Sequence, residues 1–390
     1  MNIDNGNVTA VGVAPPAPLH VGGPNIGNRE AFLARVNDIL DRRWLSNNGQ
    51  YVQEFEKRIA EIAGVRNAIA MCNATVALEI AARALGFQGE VIVPSYTFIA
   101  TAHALQWQGI KPVFADIDPR THNICPSDVR KKITKHTTGI VGVHLWGRGC
   151  NAEELDTIAE HHGIDVMYDA SHAFGCTRGG KAIGGFGKCE VFSFHATKFI
   201  NSLEGGAVVT DSDELADKIR LMRNFGFKGH DNVVYPGING KMNEVCAAMG
   251  ITSLEAMKEI IAVNRVNYES YREGLTGVPG ISLIDYDPLE KNNYQYVVIE
   301  VNPAVCPVSR DKIVACLQSK NVIARKYFWP GCHRMEPYRT LQPGIGEGLP
   351  CTKVVADRVV VLPTGQGISR DQISWICGLI REETGARTKA

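Results

Sequence analysis

From position 67 onward, short apolar runs alternate with amphipathic stretches. "NAIAM" (67–71) predicts a strand, and "ATVALEIAARAL" (74–85) predicts a helix capped by Asn73. "EVIVP" reads as a second strand, "FIATAHALQW" as a second helix and "KPVFADI" as a third strand. "GIVGVHL" and "DVMYD" are strands on either side of the helix "AEELDTIAEHHG", and "CEVFSF" and "GAVVT" close a seven-strand domain by Thr210. These runs are apolar at consecutive positions, as expected of strands buried on both faces. They therefore predict an α/β fold with a mostly parallel seven-stranded sheet flanked by helices. The pattern turns helical from Ser212, with one long stretch from Asn243 to about Arg272. In the last third, "YQYVVIEV", "VIARKYF" and "RVVVLP" alternate with the helical "SRDKIVACLQSK" and "SRDQISWICGLIREE". The resulting organisation is an arm over 1–30, a large α/β domain over 31–260 and a small C-terminal α+β domain over 261–390. The arm is rich in Gly, Pro and Asn without periodicity, and it is expected to order late or against a partner. No internal repeat or low-complexity tract is visible.

At 390 residues and 45% hydrophobic, the chain is too long for a single small core, which agrees with two domains. Forty-one basic residues balance forty-one acidic ones, so no bulk field draws in nucleic acid or an anionic membrane surface. Any anionic ligand must be met by local charges. The eleven cysteines are scattered singly from Cys72 to Cys377 without a C-x-x-C pair or a signal peptide, the pattern of reduced thiols in a cytoplasmic protein. No apolar run approaches the roughly 20 residues that span a bilayer. No strand is followed by G-x-G-x-x-G, which argues against a nucleotide-binding dehydrogenase.

In open α/β sheets ligands bind beyond the carboxyl ends of the strands, and three segments with candidate chemistry lie there. In "MCNATVAL" a strand gives way to a helix start, where Ala74 and Thr75 offer free N–H groups to a phosphate or Asn73 acts simply as a cap. In "VMYDASHAFG", Asp169 leaves a buried strand and needs a cation, unless it is a helix cap or a surface residue. In "SFHATKFINSLEGG", Lys198 stands just past a strand, with two glycines later leaving room for a close approach; the alternative is a solvated lysine in a turn. A partly desolvated lysine loses proton affinity and becomes a nucleophile toward carbonyls. Phosphate cradle, buried Asp and recessed Lys, in that order, are the fixed points for pyridoxal 5'-phosphate (PLP): Lys198 forms the Schiff base and Asp169 keeps the ring nitrogen protonated. Phe98 or Tyr96 of "VPSYTFIATA" supplies an aromatic for the ring's open face.

Taken together, Ser193-Phe-His195-Ala-Thr-Lys198, Glu204-Gly-Gly206, "DASHAFG", "VPSYTFIATA", "NATVAL" and "GINGKMNEVCAAMG" resemble the DegT/DnrJ/EryC1/StrS family of sugar aminotransferases. The resemblance runs from "WLSNNGQYVQEFE" to "VVVLPTG" and implies the large-domain fold of fold type I PLP-dependent transferases. It implies that Lys198 carries the cofactor and moves the proton, that Asp169 pairs with the pyridine nitrogen, and that His172 sits near the ring hydroxyl. It also implies Phe98 on the ring and Ala74, Thr75 and Ser193 on the phosphate, with Asn239 reaching in from the second subunit of a homodimer. By the same resemblance His195 and Glu204 act as supports, and Lys241 stands where many relatives have Arg. A lysine at 198 favours amino transfer, since relatives that remove a hydroxyl have His there.

"ARKYFWPGCHRMEPYR" offers Arg325, Lys326, His333 and Arg334 beside Tyr327, Phe328 and Trp329, residues suited to phosphates and sugar faces, although an ordinary strand and loop read the same way. In relatives this loop contacts the sugar nucleotide, which makes Lys326, Tyr327, His333 and Arg334 the expected substrate residues. The tripeptide His333-Arg334-Met335 resembles enzymes acting at C4 of dTDP-4-keto-6-deoxyglucose, with L-glutamate as donor, more than C3 enzymes, whose loop reads "HLQ". A desulfurase or lyase on the same fold is the rival enzyme. It is disfavoured because Thr197, not His, precedes Lys198.

Overall fold

A computed structural model describes Pro15 and residues 17–386 of the chain. The strands, in chain order, are β1 (Leu19–His20), β2 (Asn67–Met71), β3 (Glu90–Pro94), β4 (Lys111–Ala115), β5 (Thr137–Val143), β6 (Asp165–Asp169), β7 (Thr177–Arg178), β8 (Lys181–Ala182), β9 (Cys189–Ser193), β10 (Gly206–Thr210), β11 (Ile281–Leu283), β12 (Val297–Val301), β13 (Val322–Ile323) and β14 (Val359–Leu362). Seven form the central sheet in the order β2-β10-β9-β6-β5-β3-β4, with β10 antiparallel to both of its neighbours and all other pairs parallel. These are the seven expected from the apolar runs, and the fold is the expected α/β one.

Burial on both faces explains the lack of apolar–polar alternation. Along β6, Val166 and Tyr168 enter one core with Phe55 and Phe192, while Met167 between them enters the other with Leu78 and Phe114. The helix Ala74–Ala84 begins where Asn73, in extended conformation, accepts the Val76 N–H through its side chain at 2.9 Å. The stretch expected to be one helix from Asn243 is two, Glu244–Glu255 and Met257–Leu275, joined at Ala256 with φ −88° and ψ 0°. Neither Gly nor Pro marks that joint, so nothing local announces it. The second helix packs on the C-terminal helix Arg370–Glu383, next to the antiparallel sheet β11-β12-β14 and a third core that includes Val297, Ile299 and Leu362. Of the run "VIARKYF" only Val322 and Ile323 are strand, followed by a single bridge from Arg325 to Val361.

The described part of the N-terminal arm makes contacts with its own chain; positions 1–14 and 16 lie outside the described residues. β1 pairs in parallel with β13. The buried Asn25 then bridges two distant segments: its Nδ2 donates to Phe199 O at 3.2 Å and its Oδ1 accepts from Gln366 N at 2.9 Å. Asn201 donates back to Asn25 O at 2.8 Å. These bonds tie the turn after Lys198 to the C-terminal third. Asn25→Ala leaves a carbonyl and an N–H unpaired, and a loss of about 2 kcal/mol in unfolding free energy is expected by urea titration; an unchanged midpoint and slope would show that the bridge contributes nothing.

All eleven cysteines are free thiols. Among the described residues no helix is long and apolar enough to cross a membrane, and no cluster of side chains suits a metal ion.

Candidate active site

A cavity of about 600 Å³ opens at the carboxyl edge of the central sheet. Asn73, Ala74 and Thr75 line it just after β2, Thr97 and Phe98 after β3, Asp169 and His172 at the end of β6, and His195, Lys198 and Gly205 between β9 and β10. The C-terminal third contributes Tyr296, Tyr327 and Phe328. Segments far apart in the chain meet here because adjacent parallel strands all end on the same edge.

Lys198 sits in a turn closed by its own N–H to His195 O at 2.8 Å. Its Nζ donates to the Tyr296 hydroxyl at 3.2 Å. Burial lowers its pKa from the ordinary 10.5 to about 8, a shift opposed in part by the Asp169 carboxylate and by Tyr327. Asp169 is buried, with Oδ2 accepting from Thr101 Oγ1 at 2.8 Å and Oδ1 from Ser171 N at 3.0 Å. It is a hydrogen-bonded carboxylate aimed into the cavity, not a surface residue or a helix cap.

His172 is buried, and burial together with the Lys198 charge pushes its pKa well below the usual imidazole value. Its Nδ1 accepts from Trp146 N at 3.3 Å and its Nε2 lies 3.1 Å from the Tyr296 hydroxyl. The Trp146 ring lies near-parallel to His172, at 5.8 Å, and to Phe328, at 5.3 Å, and those two rings are also 6.1 Å apart. Of the two aromatics in "VPSYTFIATA", Phe98 lines the cavity with 55% of its surface exposed. Tyr96 is fully buried, its hydroxyl bonded to Tyr327 O.

The helix start is shaped to receive an anion. Ala74 and Thr75 hold first-turn N–H groups that no helical carbonyl can reach. Gly206 lies so close that an added Cβ would stand 2.6 Å from Ala74 N, which explains why glycine begins β10. An aldehyde-bearing, phosphorylated pyridine finds here an amine, a carboxylate, an aromatic face and a helix N-terminus, so the residues present fit PLP.

Several expected site residues lie elsewhere. Ser193 ends β9 opposite Gly206, with Oγ 3.4 Å from His195 N, and is not in the cavity wall. Asn239 is exposed, bridged to Asn224 and absent from its own chain's cavity. His333 is buried against Ser95, Nδ1 to Oγ 2.6 Å, in a turn held there by Cys332 N to Ser95 O at 2.8 Å. His333, expected as a substrate residue, therefore lines neither the cavity nor the hollow beside it. Arg334 is exposed and also outside the cavity. Tyr327 lines both the cavity and an adjoining hollow of about 310 Å³ formed with Arg325, Lys326 and Trp329. Lys326 Nζ there is 3.1 Å from Asp311 Oδ1 and 4.7 Å over the Trp329 ring, and Arg325 lies 4.9 Å over Tyr327. His195 faces Glu204 at 3.5 Å. The sequence reading missed Thr101 and Tyr296. Thr101, in the helix Ala100–Gln106, stands four positions after Thr97, its Oγ1 3.1 Å from the Thr97 Oγ1. Tyr296 had no signal, since it reads as the apolar start of a strand.

A mostly parallel α/β sheet carrying a lysine and a carboxylate in one cavity at its carboxyl edge is an arrangement that fits a PLP site, and comparison with known proteins gives the class of enzyme. The model of the DegT/DnrJ/EryC1/StrS aminotransferase family matches residues 27–381. A dTDP-4-amino-4,6-dideoxy-D-glucose transaminase of Shigella dysenteriae is 37% identical, covering 94% of this chain and 99% of that protein. A GDP-perosamine synthase of Vibrio cholerae is 33% identical, covering 91% and 96%. Among solved structures, DesI in the presence of its TDP-sugar product superposes with a TM-score of 0.92 at 48% identity, covering 96% of this chain and 95% of that one. The chain belongs to the DegT/DnrJ/EryC1/StrS aminotransferase family and is an aminotransferase.

Proposed function

We propose that the protein transfers the amino group of L-glutamate, through PLP, to the 4-keto carbon of dTDP-4-keto-6-deoxy-D-glucose, giving dTDP-4-amino-4,6-dideoxy-D-glucose. The observation that carries the reading is the meeting of Lys198, Asp169, Phe98 and the helix N-terminus at Ala74 in a single cavity. When bound, PLP supplies an aldehyde that takes up an amino group and a ring that draws electrons from the bond being broken. Lys198 holds the cofactor and carries the proton, and its lowered pKa keeps a useful fraction of free amine near neutral pH. Asp169, fixed by Thr101 and Ser171, presents a negative charge to the ring nitrogen. Ala74 and Thr75 take the phosphate, and Phe98 covers the ring.

Arg325, Lys326 and Tyr327 are the groups of the adjoining hollow that suit a diphosphate and sugar. With His333 turned away, the choice of C4 rests on the relatives named above rather than on the tripeptide. Incubation with glutamate and dTDP-4-keto-6-deoxyglucose, with NMR of the product, is expected to give an amine at C4. An amine at C3, or turnover only of a GDP-linked sugar, would replace this substrate. Sulfide release from cysteine would favour the desulfurase reading.

We also propose a homodimer, in which Asn239 completes the partner's site. Phe225, Val233 and Ile238, exposed on the segment leading to Asn239, suit a surface covered by a second copy. Light scattering is expected to give twice the chain mass, and a monomer at assay concentration would exclude the shared site.

A further inference from the structure

Lys198, Tyr296, His172 and Trp146 form a continuous line of hydrogen bonds whose direction is set at its far end. The Trp146 N–H donates to His172 Nδ1, so a neutral His172 carries its proton on Nε2 and donates it to the Tyr296 oxygen. Lys198 Nζ meets the same oxygen from the other side at 3.2 Å. The phenol therefore keeps one lone pair and one rotatable hydrogen for the lysine.

We infer that Tyr296 is a catalytic residue, a hydroxyl that holds the Lys198 amine in both of its protonation states by exchanging acceptor for donor. This inference rests on the reading of Lys198 as the residue that carries the cofactor. During amino transfer the free amine takes a proton from the substrate carbon, leaving that bond's electron pair behind, and becomes an ammonium. It would then deliver that proton to the carbon of the cofactor's former aldehyde and return to the amine. An ammonium donates to the Tyr296 oxygen, whereas a free amine accepts from the Tyr296 hydroxyl, with the bond from His172 unchanged throughout. Burial keeps the phenol itself protonated, so Tyr296 orients and exchanges no net charge. Tyr286 fixes the backbone of this arrangement by bridging Trp146 O at 3.0 Å and Tyr296 O at 2.9 Å.

The test is Tyr296→Phe, which preserves the ring that packs on Trp146 at 5.2 Å. In the apoenzyme, the pH dependence of Lys198 acylation by acetic anhydride, followed by peptide mass spectrometry, reads the lysine directly. The other ionisable groups facing it are Asp169 and His172 from the β6 end, His195 and Glu204 from its own loop, and Tyr327 from the C-terminal third. Of these, His172 loses its Nε2 partner in the variant and Tyr327 loses a neighbouring hydroxyl, while the residues themselves are unaltered. A bond to the ammonium is stronger than one to the amine, so its loss lowers the acylation midpoint, by about half to one pH unit. In the loaded enzyme, kcat for both half-reactions falls roughly 10- to 100-fold, with KM for glutamate shifted less than about threefold.

An unchanged acylation midpoint, or a kcat within twofold of the parent, overturns the role. Should the Phe variant not fold, 3,5-difluorotyrosine at position 296 preserves the shape and makes the hydroxyl a weaker acceptor and stronger donor. The midpoint then moves in the same downward direction, and no movement overturns the proposal. Labelling of the apoenzyme needs no sugar substrate, so a failure here is separate from a failure of the proposed reaction, which appears as an inactive parent enzyme.

Discussion

Lys198→Ala abolishes amino transfer, lowering both half-reactions by at least about 10³-fold. The side chain is the amine in the cavity positioned both to bond an aldehyde and to move a proton, and general acid–base catalysis alone contributes roughly 10²–10⁴-fold. The fold is expected to tolerate the change. The half-buried ammonium makes a single hydrogen bond, to Tyr296, and its lowered pKa shows that burial disfavours its charge. Single-turnover conversion of glutamate to 2-oxoglutarate is the measurement, with the absorbance of the lysine-bound cofactor followed in parallel. Turnover retained without added amine would remove Lys198 from the mechanism and with it the whole reading of the cavity.

Asp169→Asn lowers the rate about 10²–10⁴-fold while cofactor uptake persists. The structure shows why the variant isolates charge from shape. The amide oxygen can still accept from Ser171 N, and its NH₂ can donate to Thr101 Oγ1, whose hydrogen turns toward Thr97 Oγ1 at 3.1 Å. The negative charge, which the proposed function sets opposite the ring nitrogen, is the one thing lost. Removing one partner of a buried charge pair costs about 3–5 kcal/mol, and each 1.4 kcal/mol is tenfold in rate. Stopped-flow of the glutamate half-reaction reads the loss. A rate within threefold of the parent would mean that Asp169 holds the Thr101 helix in place and nothing more.

The strands and the Asn73 cap were legible because the forces that set them act within a few residues. A run such as "GAVVT" must be buried on both faces whatever its neighbours, and Asn73 reaches an N–H three positions away. Asp169 and Lys198 were legible as site residues for a related reason: each stands at or just past the end of a strand, and parallel strands bring their carboxyl-end residues to one edge of the sheet. The limits of this logic appear at Ser193 and His333. Both have suitable chemistry, but Ser193 bonds to its own turn and His333 to Ser95, contacts that no local pattern encodes.

The chain by itself determined the strands and helices of the central sheet, the α/β class and which polar side chains stand at strand ends, since period, capping and burial are properties of adjacent residues, but not the break at Ala256 or the shortness of the strand at Val322. Only the tertiary structure decided which of those side chains share a cavity. Lys198 and Tyr296 are 98 positions apart, Ser95 and His333 are 238 apart, and Asn25 joins segments at 199 and 366. Pairings at such separations are chosen by how whole layers pack, so Lys198 was visible in the sequence as a candidate site residue and its hydrogen-bond partner Tyr296 was not.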